Sequence, residues 1–242
     1  MSGRGALSGQ VAIVTGAGRG IGHAVASALA REDATVVLAA RNRQQLAATA
    51  AGIREGGGTA LAIPTDVTQD AAVEAMVEQA VAELGRVDVL VTAAGVASFG
   101  PVGGTKPGDW DGMLAVNLRA VMVTCRAVLP IMTRQRRGTI INVASVAAQR
   151  AIPGAAVYTA TKAGVVGFSR VLAEELRAEG VRVGVLVPGA VDTPLWDTIP
   201  NSPDRSRMLR PEDVARAAVL MAALPPGASL EELTLLPSGG IL

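Results

Sequence analysis

The chain has 242 residues, half of them apolar, with 22 basic and 21 acidic side chains and a formal charge of +1. That length and apolar content suit one large domain with an ample core, and the near-zero charge supplies no global field for nucleic acid or an anionic membrane. One cysteine, Cys125, excludes an internal disulfide and fits a reducing compartment; in an apolar helical stretch it is expected in the core.

Residues 1–10 hold no apolar segment, so no secretory signal is read there, and no run approaches the roughly 18 consecutive apolar residues of a membrane span. The expected location is the cytoplasm. A strand is predicted at 11–15, followed directly by Thr15-Gly-Ala-Gly-Arg-Gly-Ile-Gly22 and a helix at 21–30. Glycines remove the Cβ atoms that would obstruct a pyrophosphate, and the free N–H groups of a helix start bind it. Gly16, Arg19, Gly20, Ile21 and Gly22 are therefore candidate cofactor-binding residues, although the spacing departs from the usual G-x-G-x-x-G. His23, the one histidine, is expected to be exposed on this helix. With no clustered His, Cys or acid at ligand spacing, no metal site is expected.

The second strand, 35–40, ends at Ala40-Arg41, where a dinucleotide site selective for NAD(H) usually has an acid holding both ribose hydroxyls. Here the acid is absent, and Arg19 and Arg41 lie where they can face a 2′-phosphate, for which the guanidinium fork is suited. NADP(H) is the expected cofactor, ahead of NAD(H). After a helix at 44–54, the third strand, 60–64, leads to Asp66, which either accepts from an adenine amino group or caps the next helix, 71–84.

A fourth strand at 87–92 precedes a long helix at 110–133. Asn117 lies inside that helix, where an amide is a mediocre helix former. It is a candidate for bonding to backbone or water near the site, with capping or exposure as the alternative. Arg134, Arg136 and Arg137 read as the solvated end of the helix. The fifth strand, 139–144, delivers Ser145. A helix at 158–178 opens with Tyr158 and Lys162, four apart and so on one face, where the ammonium can favour the ionised phenol.

The sixth strand, 181–187, runs into an irregular segment, 188–210, with Pro188, Pro194, Pro200 and Pro203. So long a loop in a compact domain suits a substrate lid around 190–210, with a plain exposed insertion as the alternative. A helix at 211–223 and a strand at 233–236 complete the chain. Alternating elements with continuous apolar strands predict an α/β fold. It is a single domain over 1–242 with a doubly wound parallel sheet and helices on both faces. Ligands of such sheets sit beyond the carboxyl ends of the strands, where every motif above falls.

The order Thr-Gly-x3-Gly-x-Gly, Asn117, Ser145, Tyr158 and Lys162 resembles the short-chain dehydrogenase/reductase superfamily over essentially the whole chain. Asp66-Val67, Pro188-Gly189 and Thr193 are further matches. The resemblance implies a Rossmann-like, seven-stranded fold, usually as a homotetramer, and reversible reduction of a ketone or aldehyde with NADP(H). Tyr158 is then the acid/base, Ser145 binds the substrate oxygen, and Lys162 lowers the phenol pKa and holds the nicotinamide ribose. Asn117 holds a relay water, while Val67, Gly95, Pro188, Gly189 and Thr193 join the cofactor contacts. Two departures stand out. The family's Asn-Asn-Ala-Gly is Thr92-Ala-Ala-Gly95, without the side-chain amides thought to steady the sheet, and the C-terminal stretch 233–242 is short and irregular.

Three of the five aromatic residues, Phe99, Tyr158 and Trp196, fall in segments expected around the pocket. Ile152, Leu195 and Met208 extend an apolar wall, favouring a moderately hydrophobic carbonyl compound over a sugar. Reduction of 3-oxoacyl groups on acyl carrier protein is the named alternative. Arg136 would meet the acidic carrier, but Glu179 stands where such reductases tend to carry a second base. A non-catalytic NADPH-binding regulator is the reading from another class. Val165, Phe168 and Leu172 are expected on the outer side of their helix, covered by a second copy in a homodimer or homotetramer.

Overall fold

The structure is a computed structural model that describes residues 4–199 and 203–240. Among these, seven parallel strands form one sheet in the order β3-β2-β1-β4-β5-β6-β7. They are β1 Val11–Thr15, β2 Thr35–Ala40, β3 Thr59–Pro64, β4 Val89–Thr92, β5 Gly138–Val143, β6 Val181–Pro188 and β7 Glu232–Leu235. The helices are α1 Gly20–Arg31, α2 Arg43–Glu55, α3 Asp70–Leu84, α4 Pro107–Leu114, α5 Ala120–Gln135, α6 Ala156–Arg177 and α7 Pro211–Ala222.

Alternation along each strand divides the core in two. Ala12 and Val14 of β1 and Val36 and Leu38 of β2 face α1, α2 and α7, packing on Leu29, Leu46 and Val214. Val11, Ile13, Val37 and Ala39 face α3, α5 and α6, packing among Val73, Met76, Met132 and Val165. Covering both faces explains why the strands read as continuous apolar runs. Strand order reverses between β1 and β4, which pair in register from Ala12 with Val89. The loops leaving those two strands therefore diverge and open a crevice at the carboxyl edge of the sheet.

Local chemistry sets most boundaries. Asn42 caps α2 by accepting from the Gln45 N–H at 3.0 Å, and Gly85 ends α3 in the left-handed region at φ 77°. β4 begins later than predicted. Ahead of it, Asp88 already bonds through its backbone to Val11 and Thr139, and its buried carboxylate accepts from the Val11 N–H (2.9 Å) and from Arg86.

The predicted single helix at 110–133 is two helices joined by a π-helical turn, Ala115–Arg119, with Asn117 at its centre. Over its full run, Pro107–Gln135, it is long and apolar enough to cross a membrane by length and composition. It lies on the sheet, burying Met113, Val121, Cys125, Val128 and Met132 as a core helix does. Burial pushes the Cys125 thiol up to about 12, so it behaves as a small core hydrophobe.

Two expectations are corrected here. Val165 and Leu172 do not face outward; they are 0% and 5% exposed against the chain's own sheet, because α6 presents that stripe to β5 and β6. Phe168 is half-buried, and the exposed large apolar residues of α5 and α6 are Met122 and Val171. Nor is the β4 edge without an amide. Asn142, fully buried on the neighbouring strand, accepts from the Thr92 hydroxyl at 2.7 Å and donates to Ser169 Oγ at 2.9 Å. Ser169 in turn donates to the Val165 carbonyl at 2.7 Å, so one amide ties β4, β5 and α6.

Removing that amide leaves the buried Thr92 hydroxyl without its acceptor and takes one of the two partners of Ser169. Asn142→Ala is expected to lower the unfolding free energy in urea titrations by about 1–3 kcal/mol, and Thr92→Val by less, about 0.5–1.5 kcal/mol. Equal losses, or none, would show that the tie carries no stability.

Candidate active site

A cavity of about 660 Å³ occupies the crevice beyond β1 and β4. At one end the chain leaves β1 through Gly16 (φ 69°) and Gly20 (φ 56°), both in the left-handed region that glycine enters freely. A Cβ at Gly16 would lie 2.8 Å from the Ala94 backbone, and one at Gly22 only 2.3 Å from the Gly16 carbonyl oxygen. Side chains here would push α1 off the strand ends. Arg19, the residue before α1, makes no side-chain cap, so the first N–H groups of the helix stay available to an anion. These are the features of a cradle for a phosphate-bearing cofactor, and the residues present fit a dinucleotide.

Arg19 and Arg41 are exposed, and both border the cavity together with Ala40. Asp66 borders it too, together with Val67 and Gly95. It is not a helix cap: α3 starts later, behind Gln69. Its Oδ1 accepts from the Thr68 N–H (3.0 Å) and hydroxyl (2.8 Å), which hold the carboxyl below its usual range, with a further contribution from Arg41. Oδ2 takes part in neither bond and can accept from a ligand.

At the other end stand Ser145, Tyr158 and Lys162, at the mouth of β5 and the start of α6. The Ser145 hydroxyl oxygen accepts from the Ala147 N–H at 3.2 Å, which fixes the turn that presents it. Lys162 is 5% exposed, and its Nζ donates to the Val143 carbonyl at 2.9 Å. Burial lowers its pKa to about 8. The expected effect of Lys162 on Tyr158 is absent from the free site. Nζ lies 5.9 Å from the phenol ring centroid, and burial raises the Tyr158 pKa, opposed by hydrogen bonding to Ser145. Part of the ring stays open to the cavity, so solvent moderates that rise.

Pro188, Gly189 and Thr193 border the same cavity, and Thr193 lies 3.3 Å from where a Gly20 Cβ would be. Phe99, Ile152, Leu195 and Trp196, expected around a substrate, all border the same cavity. Phe99 meets Tyr158 edge-on at 5.7 Å and stacks on Trp196 at 6.1 Å. Met208 is buried away from this wall, beside the backbone bridge of its loop. Asn117 does not line the cavity. Its Oδ1 accepts from the Val96 N–H (2.9 Å), and its Nδ2 donates to the Val96 carbonyl (2.8 Å) and Thr161 Oγ1 (3.3 Å), stapling the loop after β4 to α6. His23 is exposed, with Nδ1 2.9 Å from Thr49 Oγ1.

The sequence reading missed Asn42, Gln45 and Thr65, which border the cavity beside Arg41 and Asp66. Asn42 and Thr65 closely follow strand ends, the signal that would have found them, whereas Gln45 lies in the first turn of α2. It also missed the Val143 carbonyl as the acceptor for Lys162, which no side-chain pattern reveals. Of the predicted lid, residues 200–202, including Pro200, lie outside the described residues. Around them the segment forms two 3₁₀ turns, Pro194–Thr198 and Arg205–Arg207.

A parallel, doubly wound sheet with a glycine-lined helix start at its switch point is a Rossmann-like nucleotide-binding fold. Residues 10–204 match the short chain dehydrogenase family, and the chain belongs to that family of oxidoreductases. It is 38% identical over 226 residues to D-threitol dehydrogenase of Mycolicibacterium smegmatis, covering 90% of this chain and 87% of that one. A metagenomic short-chain oxidoreductase in complex with NADP superposes with a TM-score of 0.85 at 38% identity, over 96% of this chain and 99% of that one. An alcohol dehydrogenase from the archaeon Thermococcus sibiricus, complexed with 5-hydroxy-NADP, gives 0.88 at 32% identity, over 95% and 97%.

Lys162 carries a pH prediction. Its folded pKa, about 8, lies below the ordinary lysine value of 10.5, so between these values the unfolded chain holds the proton more tightly. Stability contributed by this group therefore rises as pH climbs through that window. Relative to Lys162→Met, wild type is expected to gain about 1–2 kcal/mol of unfolding free energy between pH 7 and 9.5. Parallel pH profiles for the two proteins would contradict it.

Proposed function

We propose that this protein is an NADP(H)-dependent oxidoreductase that interconverts a neutral ketone or aldehyde and its alcohol. The supporting observation is one cavity that joins the glycine-lined helix start to Ser145, Tyr158 and Lys162. A bound nicotinamide cofactor supplies or takes up the hydride. Ser145 donates a hydrogen bond to the substrate oxygen, stabilising the negative charge that grows there. Tyr158 passes its phenolic proton to that oxygen and recovers it in reverse. A phenol raised by burial is a poor base near neutrality, so Tyr158 depends on positive charge arriving beside it.

Lys162, held by Val143, is close enough to neutrality to exchange protons and to bond ribose hydroxyls. Asn117 acts by holding the Val96 loop and Thr161 in place. Because both hydrogens of its Nδ2 are engaged, a relay water there would be held by a backbone carbonyl of the widened turn at 115–119 or by the remaining lone pair of Oδ1. Gly16, Gly20, Ile21 and Gly22 take the pyrophosphate, Arg19 and Arg41 the 2′-phosphate and Asp66 the adenine. Thr193 holds the carboxamide.

Beyond Lys162 the substrate end offers Phe99, Ile152, Leu195 and Trp196 and no charged side chain, which favours an uncharged, moderately hydrophobic carbonyl compound. A polyol, suggested by the D-threitol dehydrogenase relative, is the second reading. Its extra hydroxyls would enter an apolar wall without partners, which costs binding energy. The carrier-protein reading loses its main support. Arg136 is paired with Glu179 (2.7 Å) and the Ala178 carbonyl, at the edge of the sheet opposite the cavity. Assembly through α5 and α6 rests on Met122, Phe168 and Val171. Turnover of cyclohexanone, acetophenone and D-threitol, each with NADPH or NADP⁺, distinguishes these readings, and no turnover at all would favour a cofactor-sensing regulator.

Tyr158→Phe is expected to abolish turnover of the preferred compound while leaving NADPH affinity, read by fluorescence titration, within about threefold, since the hydroxyl moves the proton and holds little of the cofactor. Wild-type rates in that variant would exclude the mechanism.

Cofactor choice has its own test. A charge-assisted hydrogen bond contributes roughly 1.5–3 kcal/mol, so kcat/KM should favour NADPH over NADH by about tenfold or more. Ala40→Asp with Arg41→Ala should reverse the order. Equal efficiency with both cofactors in the wild type would remove the role given to the two arginines.

A further inference from the structure

The segment between β6 and α7 is closed at its base and braced across its middle. Val191 and Leu209 form a parallel bridge. The Leu209 N–H donates to the Ala190 carbonyl at 2.9 Å and the Asp192 N–H to the Leu209 carbonyl at 2.8 Å. From the returning limb, the Arg205 guanidinium reaches three groups on the outgoing one. Nε donates to Asp192 Oδ1, Nη1 to Asp197 Oδ1 at 2.7 Å, and Nη2 to the Thr193 carbonyl at 3.2 Å.

The residues within that grip face both ends of the reaction site. Thr193 lies against the glycine loop at Gly20. Three residues on, Trp196 stacks on Phe99 with its Nε1–H held by the Val191 carbonyl at 2.9 Å. Arg205 itself does not line the cavity; the limb it grips does. Each ion pair alone is exposed and contributes little. Their joint geometry is another matter. A planar fork with several fixed donors can satisfy two carboxylates and a carbonyl at once, and a lysine ammonium on a flexible stem cannot reproduce that arrangement.

We propose that Arg205 is a positioning residue that holds the 192–197 limb in place. It keeps Thr193 over the cofactor end of the cavity and Trp196 against Phe99 at the substrate end. When the brace is lost, only a fraction of molecules hold the limb correctly, and substrate binding must restore the order. The kinetic consequence rests on the carbonyl-oxidoreductase reading; the structural consequence does not.

Both are tested with Arg205→Met and Arg205→Lys. In a Trp110→Phe background, Trp196 is the sole tryptophan, and acrylamide quenching of its fluorescence reports how firmly the limb is seated. Quenching in the Met variant is expected to rise about twofold, with urea midpoints unchanged because the sheet core is untouched. With Trp110 intact, KM for cyclohexanone or acetophenone should rise about tenfold while kcat stays within about twofold, as expected when roughly a tenth of the molecules are binding-competent. Arg205→Lys should recover less than half of each effect.

Unchanged quenching in the Met variant, a fall in kcat at constant KM, or full recovery by lysine would each overturn the proposal. If wild type reduces neither ketone, the proposed reaction fails, while quenching in the cofactor-free protein still decides whether Arg205 braces the limb.

Discussion

At the centre of the molecule, backbone meets backbone with no side chain between. The start of α1 sits so close to β1 that a Cβ at Gly22 would fall 2.3 Å from the Gly16 carbonyl, and Gly16 is in turn pressed on the backbone at Ala94. These contacts bring three chain segments together where the order of strands reverses, and they leave the N–H groups of α1 facing outward. The position of α1 against the sheet, the line of the cavity and the approach of Thr193 from the far side all depend on this closeness. Larger residues at Gly16 or Gly22 would separate the segments before any chemistry was affected.

Polar groups buried near the site act by holding backbone. Asn142 links two strands and a helix, Asn117 staples a loop to α6, and Lys162 is tied to the end of β5. Each satisfies its own desolvated atoms while fixing a neighbouring segment, which is how a buried amide or ammonium is tolerated among apolar side chains. Among the described residues no buried side-chain nitrogen or oxygen lacks a partner. The electrostatics of the free site follow from the same burial. Lys162 is pushed toward neutrality and Tyr158 away from ionisation, so the pair is poised to respond to the charge of what binds.

At the aromatic end of the cavity the balance is different. Phe99, Trp196 and Tyr158 form a continuous aromatic row, two of whose members come from irregular segments and one from α6. The wall's composition was visible in the chain, but its shape depends on how the segment after β6 folds back. That segment is held by a backbone bridge and by ion pairs that are exposed to solvent. Loops held in this way open more readily than the sheet beneath them.

The class of fold, the glycine-lined start of α1 and the Ser145, Tyr158 and Lys162 cluster were legible in the amino-acid sequence because each has a local cause. Continuous apolar runs mark strands covered on both faces, glycines mark a close approach, and residues four apart share a helix face. What the sequence left undecided depends on partners far along the chain. Whether Val165 and Leu172 point to the sheet or to solvent turns on how α6 is rotated over β5 and β6, which periodicity alone does not specify. Thr92 looked like a lost amide until Asn142, fifty positions on, was found to supply it. Asn117 looked like a poor helix residue because the widened turn that accommodates it forms only when Val96 and Thr161 are brought against it. The reach of Arg205 across its loop is of the same kind. Patterns of side chains along one element were set by the sequence itself; contacts between elements were decided by the tertiary structure, because a hydrogen bond or a buried face has meaning only once both partners are in place.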